Sequence, residues 1–518
     1  MSSNTPAGTR VTTRMLTGAL VAGNAHAHRR LVGVDDLRAL QLRMLRRTVE
    51  ANADTWFGHR HDFARLRSIA DYRAAVPLTR WDDLEPAIAR IADGEPGMLT
   101  REPVRLLEPS SGSTAATKLI PYTTTLLRQF RAGLQPWLYD LYTRYPGLRR
   151  GRSYWSATPA ATRPHRDTAV PIGFEEDTDY LGPLTARLMS ALFAVGPEVA
   201  RAASMDEFRR RTASALLAAE DLALVSVWNP TFFTGLLDWI ADHPDEALDG
   251  LAPRRRREVA SALAARDWPA IWPNLAVLSC WADAQAAGPA AELAALFPQA
   301  FVQPKGLLAT EAMISLPLHA AGGAVLAARS HVVEFLDGDE CVLADQVEVG
   351  RRYEIVVTTG GGLYRYRLGD LVEVTGYHGA LPVLRFVGRA DKVSDLVGEK
   401  LNEAFVAGCL TGLAGFAMLA PESEPRPHYV LYAENADAAV AARLESALRA
   451  SFHYDYARRL GQLGPVRVVA VAADARQRYL DARVAAGMRL GDVKVPALAL
   501  TGGWAAVLGV PPSAPAPS

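Results

Sequence analysis

The chain has only three cysteines in 518 residues, Cys280, Cys341 and Cys409, far apart and without a C-x-x-C pair. That argues against a disulfide framework and a cysteine zinc site, and points to a reducing cytoplasm. Two H-x-H pairs, His26/His28 and His59/His61, lack Cys or acidic partners at ligand spacing and read as solvated or capping histidines. Long apolar runs are also missing: none approaches the roughly 18–20 residues that cross a bilayer. The short apolar stretch 16–23 precedes Ala25-His26-Ala27, which mimics a cleavage site, but it holds two glycines and no secretory signal is expected. An excess of charge of either sign is absent. Lys+Arg and Asp+Glu both number 56, so the net charge is zero. This removes any general attraction to nucleic acid or anionic membrane, though not a local basic groove. There is no GxxxxGK[ST] run, which eliminates the P-loop kinases and ATPases.

What is present is an ordinary globular composition, 49% hydrophobic and 22% charged. The length suits roughly two to four domains. Residues 1–30 read as a disordered leader. From residue 35 to 75 the apolar spacing is helical, with Leu37, Leu40, Leu42, Met44 and Leu45 forming a broad stripe. A short strand at 106–108 leads into a Ser/Gly/Thr loop at 110–117, an extended stretch at 118–122 and a helix over 123–142. A long Ala-rich helix is expected over 189–219. Strands at 222–228, at 275–281 and from 301 alternate with helices, which predicts a parallel sheet with helices on its faces. Between 331 and 387 the texture changes to five or six short strands, an antiparallel sheet or small barrel. Beyond 391, helices at 403–413, 436–452 and 476–486 alternate with strands at 428–432 and 466–471. The expected fold is therefore α/β: a large region over 31–330, an antiparallel β-subdomain over 331–390, a smaller α+β domain over 391–505, and a tail over 506–518.

Four stretches could carry chemistry. In Ser110-Ser111-Gly112-Ser113-Thr114, small hydroxylated residues and a glycine let backbone N–H groups approach a phosphate, with Lys118 adding charge. The alternative is a polar surface loop. Thr310-Glu311 follows an apolar strand at the expected carboxyl edge of the parallel sheet, where ligands bind, and Glu311 could hold Mg²⁺. The alternative is a helix N-terminus with Thr310 as its cap. In the segment 364–403, an acidic turn, Gly369-Asp370, and a later Arg389 could meet at one sheet edge and hold a ribose; the alternative is a surface ion pair. Lys494, flanked by Gly487 and Gly491, could swing over a carboxylate and a phosphate, or be an exposed loop lysine. The acidic run 175–179 reads as a solvated loop.

These stretches occur in one order, with SSGSTAATKLIPYT (110–123), VPIGFEEDTDYLG (170–182), LVSVWNPTF (224–232), WPNLAVLSCW (272–281), QPKGLLATEA (303–312), TTGGGLYRYRLGD (358–370), FVGRADKVSDLVGEKLNE (386–403), HYDYARRLGQL (453–463) and GDVKVP (491–496). The ordered set, running from about residue 35 to 505, resembles the Gretchen Hagen family of acyl-acid amido synthetases within the acyl-adenylate-forming superfamily. The Ala- and Arg-rich composition leans towards a bacterial member. The resemblance implies ATP and Mg²⁺, a carboxylic acid substrate and an amine or amino-acid acceptor, without nucleic acid or membrane. It implies a phosphate-binding role for Ser110, Ser111, Gly112, Ser113 and Thr114. Thr310 and Glu311 would contact AMP and Mg²⁺, Asp370 the ribose, and Arg389 the domain junction. Lys494 would be the adenylation lysine, and Asp391 would mark the hinge of a mobile C-terminal domain. Two departures stand out: Ala115 and Ala116 replace loop glycines, and Leu307 or Leu308 occupies the place of an adenine-stacking aromatic. Trp228, Phe232, Phe233 and Trp281 are candidates for the acid pocket, or plain core. Rival readings are a thioester ligase using the same acyl-adenylate and a non-catalytic binding protein. Plant-type hormone conjugation and bacterial secondary metabolism both stay open.

Overall fold

The strands Arg152–Trp155, Leu222–Ser226, Val277–Cys280 and Phe301–Pro304 form one parallel sheet in that order in the computed structural model. Helices such as Pro230–Asp242 and Ala287–Leu296 make the crossovers that parallel pairing requires. Helices on the sheet faces explain the unbroken apolar strands: Leu222–Ser226 is buried at every position. The structure describes residues 7–110, 118–156, 168–174, 183–202, 204–390, 393–394, 396, 399, 401–424, 426–459, 463–488, 491 and 493–510. The chain divides into two compact units, residues 1–368 with 372–386 and residues 369–371 with 387–518.

A second sheet has seven strands, in the order Glu340–Leu343, Val332–Asp337, Arg352–Thr358, Tyr366–His378, Leu381–Arg389, Gly323–Leu326 and Ser315–Leu318. Val332–Asp337 pairs antiparallel with both its neighbours, and so does Gly323–Leu326. In the second unit, Ala417–Glu422, His428–Ala433 and Arg467–Ala470 make a three-stranded sheet whose central strand is buried throughout. Its side chains alternate between two cores. Leu419, Tyr429 and Leu431 face the helix Ala438–Leu448, while Met418, Val430 and Tyr432 pack with Tyr479 and Trp504.

The α/β architecture expected from the alternation of elements is therefore the observed one, with four local corrections. First, the expected disordered leader contains a 26-residue helix, Ala7–Val32. Its glycines and threonines hide the helical period, and tertiary packing supplies what propensity lacks. Thr17, Leu20 and Leu31 are buried, and His28 lies 4.5 Å from Tyr139 of the helix Thr124–Arg144. Second, Gly369-Asp370 is not a turn. The strand Tyr366–His378 runs through it, because Gly369 takes φ +76° and distorts the strand without ending it. Third, the antiparallel sheet begins at Ser315, upstream of the expected start. Fourth, the helix expected over 189–219 is two: Pro183–Ser190 ends where it was expected to begin, and after a 3-10 turn at Pro197–Arg201 a second helix, Met205–Ala218, starts on its cap Ser204.

One core residue links the fold to pH. His331 is fully buried against the edge of Phe130, and neither ring nitrogen has a hydrogen-bond partner among the described residues. Burial brings its pKa down to about 3. The unfolded chain, with an ordinary histidine pKa of about 6.5, takes up a proton that the folded state refuses. This contribution is intact above about pH 6.5 and is lost as pH falls towards 3, at up to about 1.4 kcal/mol per unit. Thermal melts of wild type and His331→Leu at pH 7.5 and 5 should show the wild type losing more stability on acidification; parallel losses would remove His331 as the cause.

Candidate active site

The strands Leu106–Ser110 and Lys118–Tyr122 pair antiparallel, with Leu106 opposite Tyr122 and Ser110 opposite Lys118. The two ends of the hydroxyl-rich stretch are thus held side by side. Ser111, Gly112, Ser113 and Thr114 lie outside the described residues, as do Asp391 and the acidic run 175–179; Ser110 closes the first strand. The ribbon is anchored from below. Buried Glu108 accepts from the Phe174 amide at 3.0 Å. Thr123 then caps the helix Thr124–Arg144 by accepting from Leu126 N at 3.0 Å, and donates to Gly360 O at 2.9 Å.

Thr310 and Glu311 lie beyond the C-terminal end of the sheet strand Phe301–Pro304. Ala309 N donates to Ala312 O at 2.9 Å and Leu308 bridges to Met313, so the pair occupies the tip of a tight turn. No helix begins there, which eliminates the N-cap alternative. Tyr122 of the ribbon donates its hydroxyl to Thr310 O at 2.6 Å. One hydrogen bond therefore joins the base of the hydroxyl-rich stretch to the acidic turn. Glu311 is 8% exposed. Gly306 sets the approach to this turn: a Cβ there would lie 2.2 Å from Ser315 O, while Ser315 Oγ accepts from Leu307 N at 2.8 Å. Leu307 and Leu308 are half-buried against the core.

In the second unit, Asp370 and Arg389 meet. Arg389 Nη1 donates to Asp370 Oδ1 at 3.0 Å. The carboxylate is 6% exposed and the guanidinium 33%, so this is a partly buried pair and not a surface one. Lys494 follows buried Val493 and is half-buried. Just beyond it the chain is clamped to the sheet edge, with Leu419 N donating to Ala497 O and Ala499 N to Leu419 O, both at 2.8 Å.

The aromatic candidates separate. Trp228 and Trp281 follow the C-terminal ends of adjacent parallel strands, with ring centroids 5.8 Å apart. Phe232 is half-buried near Phe208, whereas Phe233 is core, stacked on Phe297. Two features went unread in the sequence. The run Gly360-Gly361-Gly362 packs against Thr125, Pro121 and Leu99, and its three successive glycines were the available signal. Lys305 reaches into the aromatic group, and no local pattern announces it.

The GH3 family N-terminal domain matches residues 34–258, its central domain residues 324–389 and its C-terminal domain residues 392–502. The chain belongs to the GH3 family. Similar GH3 proteins include the indole-3-acetic acid-amido synthetase GH3.8 of Oryza sativa subsp. indica, 26% identical over 88% of this chain and 87% of its own length. A probable indole-3-acetic acid-amido synthetase GH3.1 of Arabidopsis thaliana is 26% identical over 76% of each chain. Among solved structures, a GH3.15 acyl acid amido synthetase in complex with 2,4-DB matches with a TM-score of 0.81 at 19% identity, covering 95% of this chain and 96% of that one. That likeness establishes the GH3 fold.

Two glycine substitutions should separate the turn from ordinary helix. Gly306→Ala forces a methyl group onto the Ser315 carbonyl and should cost about 1–3 kcal/mol. Gly235→Ala, in the helix Pro230–Asp242 with nothing within 4 Å of the new Cβ, should be stabilising by up to about 1 kcal/mol. Urea unfolding of both variants checks the contrast.

Proposed function

We propose that this protein is an ATP-dependent, AMP-forming acyl-acid amido synthetase. Family membership supports the reaction class. The observation that carries the site is the Tyr122–Thr310 hydrogen bond, which brings the hydroxyl-rich ribbon and the acidic turn together at the carboxyl end of a parallel sheet.

A carboxylate is a poor acyl donor because its leaving group would be oxide. In the first half-reaction a carboxylate oxygen of the acid attacks the α-phosphorus of ATP, the bond to the bridging oxygen breaks, and pyrophosphate leaves. In the second, a neutral amine attacks the acyl carbon, AMP leaves, and the amine nitrogen gives up a proton. Ser110, Ser111, Gly112, Ser113 and Thr114 cradle the phosphates through backbone N–H groups and hydroxyls. The Thr310 hydroxyl faces the α-phosphate. Asp370, held by Arg389, accepts from the ribose hydroxyls, a positioning contribution that is mainly entropic. Lys494 draws the acid carboxylate and the α-phosphate together against their repulsion. Asp391 is the hinge in this reading.

Glu311 fits a Mg²⁺ site of the sparse kind, one protein carboxylate plus substrate phosphates and water; among the described residues no cage of three or more ligating side chains occurs. Mg²⁺ bound there would screen the phosphate charge. The three cysteines are free thiols, in keeping with a cytoplasmic enzyme.

Acid-dependent exchange of pyrophosphate into ATP measures the first half-reaction alone. Lys494→Ala should lower it by roughly 10²-fold while the protein stays folded. Unchanged exchange would remove that lysine from the chemistry. Offering the adenylated enzyme a panel of amino acids or coenzyme A then decides the product: consumption by amines is expected, and consumption by the thiol alone would make the protein a thioester ligase. Absence of exchange across a broad acid panel would leave a non-catalytic binding protein.

A further inference from the structure

Lys305 immediately follows the edge strand Phe301–Pro304, at the end of the parallel sheet where open α/β sheets take their ligands. Its backbone N donates to Cys280 O at 2.8 Å. The side chain then crosses the end of the Val277–Cys280 strand to reach Ser226 on the strand beyond, where Nζ donates to Oγ at 2.8 Å. That path covers two inter-strand spacings, about 10 Å. The rings of Trp137 and Trp228 flank Nζ at 5.1 and 5.0 Å from their centroids.

The half-buried Lys305 ammonium finds little compensation from protein groups there. It has three donors, and its one hydrogen bond among the described residues goes to a neutral hydroxyl. Among the described residues no carboxylate pairs with it. The nearby Gln303 carbonyl is already engaged, accepting from Trp137 Nε1 at 3.0 Å and Ser279 Oγ at 3.2 Å. Burial brings the Lys305 pKa down to about 8. The titratable group facing it is Cys280, whose thiol burial pushes up to about 11 and keeps neutral at pH 7. Two flanking rings return part of the cost through cation–π attraction. An apolar residue would fill the same space without the desolvation penalty. The arrangement is that of a donor waiting for an oxygen between two aromatic walls.

We propose that Lys305, set between Trp137 and Trp228, selects acids that carry a second oxygen acceptor remote from the reacting carboxylate. The substrate class is aromatic acids bearing a ring hydroxyl or a second carboxylate; the tryptophans take the ring, and Nζ with Ser226 takes the distal oxygen. This rests on the acyl-acid reading above. In that reading Lys494 already serves the reacting carboxylate, which leaves Lys305 for an oxygen at the other end of the acid.

The test uses the full-length enzyme and matched acids: benzoic against 4-hydroxybenzoic and benzene-1,4-dicarboxylic acid, and phenylacetic against 4-hydroxyphenylacetic acid. In pyrophosphate exchange, Lys305→Met should lower kcat/KM for the oxygen-bearing members at least tenfold, mainly through KM, and leave the unsubstituted members unchanged or improved. Lys305→Arg should keep part of the preference, and Ser226→Ala should weaken it about threefold. The wild-type preference for the dicarboxylic acid should fade above about pH 8, as Nζ loses its proton. Equal losses for both members of each pair, or no change, would overturn the proposal while leaving the synthetase reading in place. If wild type exchanges with none of the acids, the synthetase reading fails separately. Tryptophan-fluorescence titrations with the same acids then decide on Lys305, and equal affinities in wild type and the variants would overturn it.

Discussion

The buried turn over residues 358–365 is the constraint on which most of the first unit depends. Arg365 sits there at φ +46°, a conformation that costs a non-glycine residue about 1–3 kcal/mol. It is held by Glu334, whose Oε2 accepts from Arg365 Nε at 3.2 Å and whose Oε1 accepts from Arg73 Nε at 2.7 Å. Arg365 Nη1 also donates to Val76 O at 2.9 Å, and its backbone N to Thr358 Oγ1 at 3.1 Å. Glu334 is 1% exposed, so losing both arginines would leave a buried charge uncompensated, at about 3–5 kcal/mol. The strain is tolerable only because the surroundings over-determine the turn.

The candidate site inherits its geometry from that turn. Gly361 has no room for a Cβ, which would lie 2.5 Å from Pro121 O, so the turn backbone packs directly on the ribbon strand Lys118–Tyr122. Gly360 is gripped through both of its polar groups, accepting from Thr123 Oγ1 and donating to Gln129 Oε1 at 2.7 Å. Tyr364 closes the other side by donating to Leu99 O at 2.7 Å and stacking on Phe57 at 4.7 Å. A chain of rigid contacts thus leads from the strained arginine, through the ribbon and Tyr122, to Thr310. The residues that do this are neither acidic nor nucleophilic, and their importance is geometric.

Legibility in the sequence followed the range of the interaction. The parallel sheet was readable because apolar strands and Ala-rich helices alternate within short windows. The antiparallel sheet was readable from its lost helical period. Asp370 and Arg389 were paired correctly from adjacent strands, but Gly369 was misread, since a left-handed glycine marks a turn and an intra-strand distortion equally well. Helix Ala7–Val32 escaped because its stabilising partner, the helix around Tyr139, is more than a hundred residues away. Thr310-Glu311 carried two local readings, and only the absence of a following helix separated them. Lys305 was invisible for the same reason as the leader helix: its environment comes from Trp137, Ser226 and Trp228, none of them near it in sequence.

One short segment carries two of the charges that matter most to the candidate site. Lys305 and Glu311 leave the same strand end, the cation turning back across the sheet and the carboxylate going forward to the tip of the turn. Opposite charges so near in sequence would ordinarily neutralise each other. Gly306 and Ser315 prevent it by pinning the backbone between them: the glycine lies flush on the Ser315 carbonyl, and the serine hydroxyl takes the next amide. Tyr122 then fixes the far end at Thr310. Held this way, the lysine stays with the tryptophans and the glutamate at the turn tied to Tyr122; in the proposed reading one strand end then serves an organic acid on one side and a phosphate-bound cation on the other. Division of labour within seven residues requires a stiff backbone more than any particular side chain, which is why the glycine and the serine matter as much as the charges they keep apart.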